Sequence, residues 1–134
     1  AGKGSLGEVP PAVAEFVTTA QGHHQAALER WNDILTGAGQ EAVTDPPADL
    51  EKTVNDKFAK VTDAGGAAKL ALALQTIAAD TYLAVIPMLA TQKPIQLAAS
   101  IQPIDRQHMA VLNFALGNYP VPETFATTKM AVSP

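Results

Sequence analysis

Apolar residues recur every three or four positions along most of the chain. The breaks in that rhythm fall at prolines and glycines, so the pattern predicts helices joined by short connections. Pro10 and Pro11 supply the fixed φ that suits a first helical turn. Val13, Val17, Ala20, Ala27, Trp31 and Ile34 then form one stripe, with His24 inside it, as far as Gly37. Residues 37–47 are the most linker-like stretch, and Asp45, standing before Pro46 and Pro47, is the expected N-cap of a second helix. Leu50, Val54, Phe58 and Val61 give that helix a single apolar stripe, and Gly65 and Gly66 are expected to close it. A third helix is expected over 67–89, apolar on most faces as a central helix is, with Gln75 in register with Ala71, Ala78, Tyr82, Val85 and Leu89. Pro87 should kink its last turn, because it cannot donate to the carbonyl of Leu83. Pro94 opens a fourth helix that carries Ala98, Ile101, Asp105, His108, Leu112 and Ala115 on one face and ends near Gly117, with a bend or local break expected at Pro103. Beyond it, 118–134 reads as an extended tail, either packed on the helices or loose.

Composition narrows this to an all-α helical bundle. The 134 residues suit one domain with one core, and 47% hydrophobic residues with only 5% aromatics mean that the helices must pack mainly through Ala, Leu, Val and Ile. A net charge of -4 with scattered basic residues leaves no footprint for nucleic acid. The absence of cysteine removes disulfides, thiolate metal sites and thiol nucleophiles. The most apolar stretch, 67–90, is broken by Lys69, Gln75, Asp80 and Pro87, so it reads as a core helix and no transmembrane segment is expected. The first residues carry no pattern of an export signal; they fit a processed end or the start of a fragment.

The chemistry lies in polar residues on the apolar stripes: Gln21 and His24 on the first helix, Gln75 on the third, Asp105 and His108 on the fourth. Buried groups of this kind must bond to one another or to a metal. Residues at i and i+3 share a helix face, so Gln21 with His24, and Asp105 with His108, can each aim two side chains at one point. A hydrogen-bonded network in which Asp105 accepts from a histidine meets the same need, partial exposure of the cluster would remove it, and spacing leaves all three readings open. His23 should point to a flank, and Glu15, Glu29 and Asp80 fall off the stripes and are expected on solvated faces. Ser5, Ser100 and Ser133 sit in no nucleophile elbow, and no glycine-rich phosphate loop is present.

Three segments carry a family resemblance. Leu70-Ala-Leu-Ala-Leu-Gln-Thr-Ile-Ala-Ala-Asp-Thr-Tyr82, Ile104-Asp-Arg-Gln-His-Met-Ala-Val-Leu112 and Val121-Pro-Glu-Thr-Phe125 resemble the bacterial ferritin-like domain proteins, many of them exported. In that superfamily a four-helix bundle holds two irons through a Glu on each of two helices and a Glu-x-x-His on each of the others. The resemblance implies that Gln21-Gly-His-His24 stands for one Glu-x-x-His with Gln in place of Glu, Asp105-Arg-Gln-His108 for the second with Asp in place of Glu, and Gln75 for a lone Glu. The helix that would carry the remaining Glu is expected to be absent, since only 1–9 precede the first helix. The usual four carboxylates are thus reduced to Asp105, too little charge for two divalent irons, although two His and one Asp suit a single Zn or Fe ion. The expectation is a ferritin-like bundle with an eroded di-iron site, acting as a binding or structural module. The alternative is a metal-binding protein or oxidoreductase using His24, Asp105 and His108. A missing helix would uncover apolar surface, so a protein partner or homo-oligomer is expected. The resemblance also implies a place in the periplasm or cell envelope.

Overall fold

The computed structural model describes residues 10–132, and among them every regular element is helical. Four α-helices follow in order: α1 (Pro11–Gly37), α2 (Ala48–Phe58), α3 (Ala64–Val85) and α4 (Gln92–Ala115), with a 3-10 turn, Ile86–Met88, between the last two. The chain divides into two compact units, with the boundary between Leu70 and Ala71 inside α3.

In the first unit, α1 starts where the prolines place it and ends at Gly37, followed by a cap that needs a glycine. Gly39 takes φ 75°, while its N–H bonds to the Thr36 carbonyl and that of Gln40 to the Leu35 carbonyl. This is the paired pattern of a Schellman cap. The connection that follows is pinned to α1 by Asn32, whose amide donates to the Val43 carbonyl at 2.9 Å and accepts from the Val43 N–H at 2.8 Å. Two expectations at α2 fail. Asp45 is not its cap, for Asp45 accepts from the Thr44 hydroxyl and Pro47 holds the cap position without a side-chain bond. Nor do Gly65 and Gly66 close α2, which ends at Phe58; they lie in the first turn of α3. Asp63 explains why a glycine pair can begin a helix: its carboxylate accepts from the Gly66 N–H at 2.7 Å and its carbonyl from the Ala67 N–H, satisfying donors that a helix start leaves unpaired.

In the second unit, α3 stops at Val85, four residues short of the expected 89. Pro87 has no N–H to continue the ladder, and the chain tightens into the 3-10 turn instead. By contrast, α4 runs through Pro103 without a break. Its C-terminus is a second Schellman cap, with Gly117 at φ 77° donating to the Phe114 carbonyl and Asn118 to that of Asn113. The buried residues of α4 are Ala98, Asp105, His108 and Leu112, all on the stripe read from the sequence. Those of α3, Gln75, Ala79 and Asp80, do not share one face: Asp80 lies five positions beyond Gln75, about 140° round the helix axis. Ala64–Met88 contains an 18-residue window of mean hydropathy 1.5 and is long and apolar enough to cross a bilayer.

Among the described residues after α4 there is no helix, and 126–132 is strapped to α3. Asp80, expected on a solvated face, is completely buried and is the anchor. Its Oδ1 accepts from Arg106 at 2.6 Å, and its Oδ2 from the Thr127 hydroxyl at 3.2 Å and the Met130 N–H at 2.9 Å. Arg106 also donates to the Thr127 carbonyl, and the Val132 N–H donates to the Thr81 hydroxyl. Residues 126–132 are therefore held by polar bonds to α3 and α4, while Tyr119, Val121 and Phe125 before them are exposed.

Candidate metal centre

Asp105 and His108 are one helical turn apart on the inner face of α4, where the 3.6-residue period puts i and i+3 side by side. Asp105 is 1% and His108 5% exposed, and His108 Nδ1 lies 4.0 Å from Asp105 Oδ1, too far for a hydrogen bond. Asp105 Oδ2 is buried with no hydrogen-bond partner. Burial pushes the Asp105 carboxyl up to about 6, outweighing the nearby Arg106 charge, which pulls the other way. Even so, the group is largely ionised at neutral pH.

Gln75, the third of the sequence-predicted residues in this unit, is buried on α3. The two on α1 are not core residues: Gln21 and His24 are both exposed, as is His23. The stripe of α1 is buried only at Ala20, whereas Val13 and Val17 face solvent, so this helix does not carry the continuous inner face that its periodicity predicts. Partial burial of the ring, and then the charge of His23, hold the His24 pKa below its ordinary value of 6.5, which favours the neutral imidazole that a metal requires.

The groups that sequence reasoning missed are Asp80, Arg106 and Thr127. Their partners are far apart in sequence, and no periodicity links a carboxylate on α3 to a hydroxyl in an irregular tail. One signal was available. Arg106 is the only basic residue between Lys93 and Lys129, and an acidic side chain within the most apolar helix needs a cation.

A family model, the ferritin-like domain, matches residues 3–118, and the chain belongs to that family. The all-helical architecture agrees with a ferritin-like bundle. Comparison with curated proteins and with solved structures finds no match.

Proposed function

We propose that this protein is a ferritin-like module that binds a single divalent metal ion in place of a di-iron centre. One observation carries the reading: Asp105 is a buried, largely ionised carboxylate whose Oδ2 has no partner, one turn from a buried imidazole. An isolated buried charge is costly, and a cation supported by the histidine removes the cost. The 4.0 Å between the side chains is wider than the roughly 3.4 Å that separates two donors of a tetrahedral ion with bonds of about 2.0–2.2 Å, so a shared ion would draw the two side chains together. Water would complete the shell.

The donor set does not fit two irons. Asp80 and Asp105 are the buried carboxylates among the described residues, and Asp80 is spent on Arg106, Thr127 and Met130. Gln75 offers a neutral oxygen, so a second divalent ion would lack compensating charge. The same anchored Asp80 supports reading α3 as a protein-core helix, since its charge is bonded to other parts of the chain and not left facing lipid.

The test is calorimetric titration of the metal-free protein with Zn(II) and Fe(II). The expected result is saturable binding that Asp105→Asn and His108→Gln each weaken at least tenfold with helicity unchanged. Equal affinity in wild type and both variants would overturn the reading.

A second reading concerns a partner. Phe114, Tyr119 and Phe125, in the second unit, are 74%, 70% and 81% exposed. Aromatic side chains so exposed favour a contact with another protein. Sedimentation of wild type against Phe114→Ser/Phe125→Ser is the check: self-association lost in the variant supports a homomeric contact, and an unchanged sedimentation profile counts against it.

A further inference from the structure

In the second unit Asp105 is followed directly by Arg106, whose guanidinium pairs with Asp80, and the three charges do not cancel. Asp80 and Asp105 are negative and Arg106 is positive. Arg106 follows Asp105 directly, but it is committed elsewhere: one guanidinium nitrogen lies 2.6 Å from Asp80 Oδ1 and bonds to the Thr127 carbonyl. The arrangement is fixed from three directions, because Asp80 Oδ2 is in turn held by the Thr127 hydroxyl and the Met130 N–H. One negative charge is left over, and it belongs to the carboxylate whose Oδ2 has no partner.

We propose that Asp80, locked in place by the C-terminal strap, is a positioning residue for the cation site: by taking up the charge of Arg106 it leaves Asp105 free to bind a metal ion. The inference rests on the single-ion reading given above. Asp80 touches no metal. It acts by neutralising a guanidinium that would otherwise pair with Asp105 or repel an incoming cation, both of which strengthen in a site removed from water. Arg106 Nε is buried without a hydrogen-bond partner, so the guanidinium retains a donor that could be offered to Asp105 if Asp80 released it. The strap 126–132 thereby gains a role beyond packing: what holds it to α3 also sets the charge that a metal meets.

The test is a charge-neutralisation cycle in this chain, read as Zn(II) affinity by calorimetry. Asp80→Asn keeps the shape of the side chain but frees Arg106, and is expected to weaken binding about tenfold. Adding Arg106→Gln removes the freed cation and should restore affinity to near the wild-type value, although the ion pair is still missing. A purely structural role predicts the opposite, since the double variant would bind no better than Asp80→Asn alone; that result overturns the proposal. Thr127→Val, which removes one donor from Asp80 and leaves the ion pair, provides a folded variant should Asp80→Asn unfold. It is expected to weaken binding about twofold to threefold, and unchanged binding would count against the proposal. Wild type that binds no Zn(II) at all would instead sink the single-ion reading on which the inference stands, so the two failures are distinct.

Discussion

Arg106 is bonded not to its sequence neighbour Asp105 but to Asp80, 26 residues earlier in the chain, at 2.6 Å. That choice of partner organises the second unit. It ties α3 to α4, gives the C-terminal strap its anchor, and leaves a buried carboxylate open on the inner face of α4.

Removing Asp80 should therefore cost far more than a surface substitution. Asp80→Ala leaves Arg106 partly buried without its counterion and unties Thr127 and Met130. Loss of one member of a buried ion pair typically costs about 3–5 kcal/mol. The expected outcome is a large drop in urea midpoint together with rapid proteolytic cleavage within 126–132. A midpoint within error of wild type would contradict the anchoring role.

Asp105 predicts a specific pH dependence for the metal-free protein. Its carboxyl is raised from 3.8 to about 6, so the folded state holds the proton more tightly than the unfolded state does. The contribution of the neutral acid is complete below the unfolded value and is lost as pH rises through about 6, a change of about 3 kcal/mol at one pKa unit per 1.36 kcal/mol. Asp105→Asn cannot ionise and should lack this loss. Urea midpoints at several values between pH 4 and 7 test the point: the variant should gain on wild type as pH rises, and a constant difference would show that the carboxyl is not perturbed.

Gln75 tests whether charge is what the site has lost. Gln75→Glu keeps the shape and adds an ionisable group at a position 9% exposed. Without metal it should destabilise the protein by roughly a few kcal/mol, because a charge is being buried. Saturating Fe(II) should then raise the melting temperature of the variant more than that of wild type, through preferential binding to the folded state. Equal shifts in the two proteins would mean that Gln75 lies outside the reach of the ion.

A backbone prediction is independent of the site. Gly117 occupies φ 77°, where an L side chain is strained, and nothing lies within 4 Å of an added Cβ. Gly117→Ala should thus cost about 1 kcal/mol through conformation alone. Gly22 has equally open space but no positive φ, and Gly22→Ala should stabilise α1 by up to about 1 kcal/mol. Thermal melts of both variants should shift in opposite directions; a shared direction would contradict the assignment.

The parts of this structure legible in the sequence are those set by local physics. The order of helices, the start of α1 at its prolines, and the inner face of α4 with Asp105 and His108 follow from periodicity and breakers. Proline and glycine misled where their local effect was outweighed. Pro103 removes a donor in mid-helix, yet α4 continues, and Gly65 and Gly66 join α3 because Asp63 caps them. Asp80 was illegible for a different reason. A stripe identifies one face of a helix, but α3 is buried on a second face by an irregular strap whose partners lie 47 and 50 residues away. On α1 the reverse holds, for a clear stripe is exposed at Val13, Val17 and His24, half-buried at Ala27, Trp31 and Ile34, and buried only at Ala20.

The number of metal ions per chain tests the central claim most directly. Purified protein loaded with excess Zn(II) or Fe(II), desalted and measured by elemental analysis should hold one ion per chain, and Asp105→Ala and His108→Ala should each hold none while remaining helical. Two ions per wild-type chain would restore the di-iron reading, and none would leave the open carboxylate of Asp105 without the cation that the account assigns to it.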